Sequence, residues 1–195
     1  MYMHIPGVDK LARSVGRDLL APQVTSVCAQ TGKKQILTES FALCGWDVSF
    51  EELKWILEWQ MVKGVNLLCQ HLEGYSLEGL RKRDYPAGHF YQNPWWKDYK
   101  SFMDFSARVG MLLAEGKIKC EVLVLHTISS AWISRCDDHA WQQEVDSKYT
   151  SKLVDIIKCL DTHQIPHHLG DETVMREIAS VSGDTLNVGE MSYKT

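Results

Sequence analysis

The stretch KQILTESFALCGWDVSFEELKWILEWQMVKGVNLLCQH, residues 34–71, has the pattern of a strand, a helix and a second strand. Its middle contains Ser49-Phe50-Glu51-Glu52, the form of a capping box in which Ser49 caps a helix and Glu52 reaches back to it. The periodic apolar residues that follow predict a helix over residues 50–63. A strand, a helix and a strand in a span of this length fit one βαβ unit with a parallel strand pair.

Two polar residues come directly after the predicted strands of this unit. Glu39 follows a strand predicted over residues 34–38, and His71 follows one predicted over residues 65–69 with Gln70 between. In parallel α/β folds, and above all in (β/α)8 barrels, the carboxyl ends of the strands carry the chemistry. We therefore interpret Glu39 as a candidate catalytic carboxylate. The alternative is a loop acid that merely begins a connection.

The rest of the chain has further helix and strand patterns. An amphipathic pattern predicts a helix over residues 101–117, and the apolar run Cys120–His126, CEVLVLH, predicts a buried parallel strand. Other segments predict helices over 19–31 and 148–162 and strands over 167–169, 185–188 and 191–193. The alternation after Cys120 indicates the start of an open α/β sheet.

Composition and charge exclude several classes of function. The 195 residues include 45 % apolar and 24 % charged side chains, with a net charge of −4. This ordinary globular composition gives no case for a nucleic-acid partner or an anionic membrane surface. No apolar run is long enough to span a membrane, and the first residues lack a signal-peptide pattern, so we expect a cytoplasmic protein.

The sequence predicts no cofactor and no metal. The six cysteines are scattered without a CxxC pair, which indicates reduced and mostly buried thiols. No glycine-rich phosphate loop is present, and the histidines have no metal-ligand spacing. Cys69 and His71 share a strand face and raise the hypothesis of a Cys-based hydrolase, but no third orienting group accompanies them.

A long segment over residues 72–99 is rich in Tyr, Trp, His and Arg, which argues for function rather than disorder. Arg81 and Asp84 are candidates for orienting substrate hydroxyls, and the alternative is a solvated surface ion pair. Trp95 and Trp96 are candidates for a stacking platform under a sugar ring. They could equally cover the end of a hydrophobic core.

Several spaced motifs carry a resemblance to a known group of enzymes. They are Thr38-Glu39-Ser40, Gly45-Trp46-Asp47, Gly64-Val65-Asn66, Gln70-His71, Arg81-Lys82-Arg83-Asp84-Tyr85-Pro86 and Asn93-Pro94-Trp95-Trp96. In these the chain resembles large bacterial glycoside hydrolases related to the α-L-rhamnosidases of family 106 and to the β-galactosidase-like (β/α)8 enzymes. The resemblance covers roughly residues 2–132 and continues more weakly to the end.

The resemblance implies a catalytic barrel followed by a smaller α/β domain. Glu39 would be the catalytic carboxylate at a barrel strand end. His71 and Asp84 would line the sugar subsite, and Trp46 or Trp95 would stack on the ring. We count Arg81, Tyr85 and Trp96 with these substrate-contacting residues.

The chain departs from the enzymes it resembles in length. Glycoside hydrolysis needs two carboxyl groups across the scissile bond. A full (β/α)8 barrel takes about 250 residues, yet only about 115 precede the strand at Cys120. We therefore expect residues 1–117 to be the C-terminal part of such a barrel and residues 118–195 to be a partial α/β domain of Rossmann or flavodoxin type. The second catalytic acid would be missing, with Glu73 or Asp84 as weak substitutes.

Two functions follow, with different partners. The first is a glycoside hydrolase, complete only when a homo-oligomer or an N-terminal barrel half completes the barrel. The second is a carbohydrate-binding or assembly module that has lost the chemistry. Both take a carbohydrate as ligand, and neither involves nucleic acid or a membrane.

Overall fold

A computed structural model describes residues 2–16, 19–134, 143 and 146–194. Its elements in chain order are β1 (Gly7–Lys10), α1 (Leu20–Gln30), β2 (Leu37–Ser40), α2 (Phe50–Val62), β3 (Leu67–Gln70), a 3-10 helix (Gly79–Arg83), α3 (Trp96–Glu115), β4 (Val122–His126), α4 (Ile128–Ser134), a π-helical turn (Asp146–Ser151), α5 (Lys152–Thr162), β5 (His167–Asp171), α6 (Glu172–Ile178), β6 (Ala179–Ser182), β7 (Thr185–Val188) and β8 (Met191–Lys194). No helix in these described ranges is long and apolar enough to cross a membrane.

The chain forms two compact units. The first unit consists of Tyr2–Gly16 and Lys33–Lys117, and the second consists mainly of Arg17–Gly32 and Ile118–Thr195. Helix α1 therefore belongs to the second unit. The division expected from the sequence, between residues 117 and 118, places it with the first.

The first unit is built on a parallel sheet of order β1-β2-β3. Helix α2 makes the crossover from β2 to β3, and its capping box forms as predicted, with Ser49 accepting from the Glu52 amide and Glu52 accepting from the Ser49 amide. The helix buries Leu53, Ile56 and Leu57 completely. These side chains share a hydrophobic core with Phe41 and with Tyr99 and Phe102 of α3, and their burial stabilises the βαβ unit.

Strands β2 and β3 begin two to three residues later than the apolar pattern predicts. The side chain of Asn66 accepts from the amide of Ile36 at 2.8 Å and donates to the carbonyl of Lys34 at 2.7 Å. These two backbone groups therefore bond to a side chain and do not form the first hydrogen bonds between the strands. Strand β2 continues to Ser40, so Glu39 lies inside it, and the prediction that Glu39 follows the strand is wrong.

Helix α3 starts earlier than predicted, at Trp96 rather than residue 101. It crosses β3 closely at Gly110, where a Cβ atom would stand only 2.4 Å from the carbonyl oxygen of Asn66. A glycine is needed here because a carbonyl of the neighbouring segment occupies the space of a side chain.

The second unit contains a parallel pair, β4-β5, and an antiparallel meander, β6-β7-β8. Helix α1 docks on β5 through two side chains. Gln30 donates to the carbonyl of Leu169 at 3.0 Å, and Ser26 accepts from the amide of Leu169 at 2.8 Å. The expected start of an open α/β sheet is thus limited to one parallel pair, and β6 is a strand that the sequence pattern missed.

The fold is therefore mixed α/β. In the described part of the chain the strands lie in three separate sheets, and no barrel is seen.

Candidate functional site

Glu39 is half-buried in the middle strand of the first unit's sheet. Its neighbours Thr38 and Ser40 are fully buried and bond to Gln60 of α2. Because successive side chains of a strand point to opposite faces, the Glu39 carboxylate lies on the face away from α2. No hydrogen bond or ion pair holds this carboxylate within the described residues.

Asp9 is the residue that sequence reasoning missed. It lies in register with Glu39 on the neighbouring strand β1, and Cys69 is the register partner on β3. Register partners of parallel strands project from the same face, so the two carboxylates are neighbours. The only signal in the sequence was the short Val8-Asp9-Lys10 run after Pro6-Gly7, which is too weak to define a strand.

A cavity of about 220 Å³ lies at the carboxyl edge of this sheet. Its wall includes three of the predicted substrate-binding residues, Trp46, Arg81 and Asp84, together with Glu73. The remaining wall comes from the segments Leu72–Leu77 and Pro86–Phe90. The structure thus brings together residues up to 44 positions apart in sequence, from Trp46 to Phe90, around one concave surface.

Backbone contacts fix the wall residues. The Trp46 indole donates to the carbonyl of Lys82 at 2.9 Å, which ties it to the 3-10 helix that carries Arg81. The amide of Gly45 donates to the carbonyl of Pro86 at 2.9 Å. A Cβ on Gly88 would stand 2.8 Å from the Phe90 ring and 3.4 Å from the Trp46 ring. The absent side chain of Gly88 therefore leaves room between these two rings.

Other predicted residues lie outside the cavity wall. The rings of His71 and Tyr85 meet edge to face with centroids 5.7 Å apart. The Nδ1 atom of His71 is buried and has no hydrogen-bond partner within the described residues. Glu39 does not line the cavity either.

Trp95 and Trp96 belong to the aromatic core beside α3. The Trp95 ring lies 5.2 Å from that of Phe50, and Trp96 stacks on Tyr99 at 5.5 Å. This is the location expected if the pair covers the end of a core. A contact of either ring with sugar stays a prediction.

His89 and Tyr99 are a second pair that the sequence did not indicate. His89 is 0 % exposed and Tyr99 is 3 % exposed, and their rings lie 5.5 Å apart. Both ring nitrogens of His89 and the Tyr99 hydroxyl lack a partner within the described residues. Burial lowers the pKa of His89 to about 4, with a smaller contribution from His71, so the imidazole is neutral at pH 7. Burial likewise raises the pKa of Tyr99, and the charge of Glu73 adds to this effect.

The other candidate chemistries find little support in the geometry. Cys69 is exposed, and no hydrogen bond joins it to His71 in the described ranges. Five cysteines are free thiols, and Cys136 lies outside the described residues. Within that same part of the chain, no group of three His, Cys, Asp or Glu side chains could hold a metal ion.

Comparisons with known proteins give two likenesses, and no protein-family profile matches the chain. Over 112 residues the chain is 30 % identical to a protein named "Putative beta-glucuronidase" from Formosa agariphila. The match covers 55 % of this chain and 10 % of that protein. The fold is similar to the rhamnosidase from Novosphingobium sp. PP1Y, with a TM-score of 0.66 at 15 % identity. That match covers 98 % of this chain and 18 % of the rhamnosidase, so the chain spans less than a fifth of either protein.

Proposed function

We propose that this chain is part of a glycoside hydrolase and binds a carbohydrate in the cavity walled by Trp46, Arg81 and Asp84. The observation that carries the proposal is the convergence of these three residues with Glu73 on one concave surface at the carboxyl edge of a parallel sheet. An aromatic ring beside a few convergent polar groups is the usual make-up of a ligand site. The names of the two similar proteins, a glucuronidase and a rhamnosidase, support the same class of ligand.

The size and charge of the cavity suit one sugar ring. Its volume of about 220 Å³ is below the roughly 300–1,000 Å³ of sites for drug-sized ligands. Arg81 offers hydrogen-bond donors, and Asp84 and Glu73 offer acceptors, so each sugar hydroxyl could find a partner of either kind. The Trp46 side chain is partly exposed and held by its indole N–H, which suits it to stack on a sugar face.

For the chemistry, we propose Glu39 as the catalytic carboxylate and Asp9 as its partner acid. Neighbouring strands of a sheet lie about 4.8 Å apart, so the backbones of register partners are about that far apart, and their carboxyl groups can approach each other on the same face. Retaining glycosidases place their two carboxyl groups about 5–5.5 Å apart. The pairing of Asp9 with Glu39 supports a retaining mechanism and offers the second acid that the sequence reading found missing.

For the architecture, we propose that the first unit is a segment of a (β/α)8 barrel of the family 106 or β-galactosidase-like type. Three parallel strands in sequential order, with a helical crossover between β2 and β3, are the repeating pattern of such a barrel. A second copy of this chain or an N-terminal barrel half would supply the remaining strands.

A carbohydrate-binding module without catalysis is the second candidate. It is favoured by the position of Glu39, which lies in β2 and outside the cavity wall. In this function the cavity holds sugar, and no carboxylate needs to reach an anomeric carbon.

The experiment that tests the proposal measures sugar binding and turnover together. Binding of rhamnose, galactose, glucose, arabinose and glucuronate is followed by calorimetry, and hydrolysis of the matching nitrophenyl glycosides is followed by absorbance. We expect Arg81→Met to weaken binding about tenfold, since it removes a charged hydrogen bond. Arg83→Met is the matched control because Arg83 shares the exposed 3-10 helix but does not line the cavity.

Turnover separates the two candidate functions. Hydrolysis that is lost in both Glu39→Gln and Asp9→Asn supports the enzyme. Binding without hydrolysis by the unchanged chain supports the module. Absence of binding to every sugar, or equal weakening by Arg81→Met and Arg83→Met, contradicts the proposed site.

A further inference from the structure

His89 and Tyr99 present buried polar atoms that the fold itself does not use. Both nitrogens of the His89 ring and the Tyr99 hydroxyl have no hydrogen-bond partner within the described residues. Aromatic rings surround them, with Phe41 and Trp95 each 5.5 Å from the His89 ring. Burying polar groups without partners lowers the stability of a fold, so such groups need an explanation in function or in bound solvent.

The two side chains do not line the cavity themselves, but they lie next to its wall. Ala87, Gly88 and Phe90 all line the cavity, so His89 lies within the segment that forms its wall. The amide of His89 donates to the carbonyl of Leu72, another wall residue, at 3.2 Å. Tyr99 lies beside His89, with the centroids of the two rings 5.5 Å apart.

We propose that His89 and Tyr99 form the hydrogen-bonding floor of this cavity and bind a hydroxyl group of the carbohydrate. The inference rests on the proposed carbohydrate site and adds two ligand-contacting residues to it. A neutral imidazole has one donor and one acceptor nitrogen, and a phenol both donates and accepts. Together they match an uncharged hydroxyl, which itself donates once and accepts twice.

Binding by this floor includes a rotation of the His89 ring towards the cavity. Its nitrogens are buried in the unliganded chain, and side-chain rotations of this kind are common when a ligand binds. Asn93 holds the wall segment on both sides of His89, because its amide group donates to the Gly88 carbonyl at 3.0 Å and its backbone N–H donates to the Phe90 carbonyl at 2.8 Å. The backbone can therefore stay in place while the ring turns.

The test uses His89→Phe and Tyr99→Phe in the full chain. Both variants keep an aromatic ring at the position: Tyr99→Phe removes only the hydroxyl, and His89→Phe replaces the imidazole by a slightly larger apolar ring. Tyr91→Phe is the matched control, since Tyr91 is 69 % exposed and outside the cavity wall. Calorimetric titration with the sugar that the unchanged chain binds best gives the affinity, and thermal unfolding gives Tm.

We expect each variant to bind the sugar about three- to tenfold more weakly, with an unchanged or higher Tm, because the fold loses no hydrogen bond. Equal affinity of variants and unchanged chain overturns this inference and leaves the proposed function standing. A clear fall of Tm in either variant also overturns it, since the polar atoms would then serve the fold through bound water. Failure of the unchanged chain to bind any sugar overturns the proposed function and this inference together.

Discussion

Gln60 joins the sheet of the first unit to helix α2 through a buried network. Its side-chain carbonyl accepts from the Thr38 hydroxyl at 2.5 Å, and its amide group donates to the Ser40 hydroxyl at 2.9 Å. All three residues are 1 % exposed or less. Because water cannot reach the site, each of these polar groups depends on the others for its hydrogen bonds.

Replacing Gln60 with Met keeps the size of the side chain and removes both bonds. The two hydroxyls then retain their bond to each other and a long bond from Thr38 to the Glu39 carbonyl, so we expect the free energy of unfolding to fall by about 1–3 kcal/mol. Urea unfolding followed by circular dichroism measures the loss. Gln92→Met, at an exposed position, is the control and is expected to be neutral. An equally small effect of both changes would show that the network adds nothing to stability.

The stability of the first unit depends on pH because of Glu52. Hydrogen bonds from the Ser49 amide and from Arg13 lower the pKa of this carboxyl. A carboxyl group whose pKa is lower in the folded state stabilises the fold above the unfolded value of about 4.3. That contribution is lost as the pH falls through the folded value.

Glu52→Gln should therefore have a lower Tm than the unchanged chain at pH 7, and the difference should shrink below about pH 4. Thermal unfolding between pH 3 and pH 7 measures this. Glu51→Gln, also in the first turn of α2, is the control without the Arg13 contact. A Tm difference that stays constant over this pH range would contradict the assignment.

At the scale of elements, helix α3 and strand β3 approach each other at one glycine. Gly110→Ala would normally stabilise a helix by up to about 1 kcal/mol. Here the new Cβ meets the Asn66 carbonyl at 2.4 Å, so we expect a net destabilisation of about 1–3 kcal/mol. Chemical unfolding measures the sign. A higher free energy of unfolding for Gly110→Ala would contradict this, and would mean that α3 can move away from the Asn66 carbonyl at little cost.

The elements also differ in how well the sequence predicts their bounds. Helix α2 was predicted to within one residue because its capping box and apolar period are local signals. The starts of β2 and β3 were missed because the Asn66 side chain, 30 residues away from Ile36, takes the place of ladder hydrogen bonds. Trp46, Arg81 and Asp84, which the sequence indicates as substrate-binding residues, line one cavity, and that role stays a prediction. His89 and Asp9 were missed because burial and strand register depend on tertiary contacts.

At the scale of the whole molecule, the second unit depends on a helix from far upstream. Gln30 bonds to Leu169 and to the Tyr193 hydroxyl, and Val27 packs against a core that includes Val174 and Val188. The turn at Gly189 contacts the end of α1 so closely that a Cβ would meet the Gln30 carbonyl. Without α1, this core and these polar groups would face water.

A polypeptide of residues 118–195 alone should therefore fail to unfold cooperatively. Adding a peptide of residues 19–32 should restore a cooperative thermal transition and near-ultraviolet circular dichroism. The same peptide with Ser26→Ala and Gln30→Met is the control and should not restore them. Cooperative unfolding of residues 118–195 without the peptide would show that the boundary between residues 117 and 118 is a true domain boundary.

The order of the elements along the chain also determines when α1 can dock on β5 during protein synthesis. Gln30 leaves the ribosome 139 residues before Leu169, its partner in β5. At typical elongation rates of 5–20 residues per second, helix α1 waits roughly 7–28 s for the strand on which it docks. During that time all three strands of the first unit's sheet are synthesised. The nascent chain therefore carries α1 without its partner strand until β5 has been synthesised.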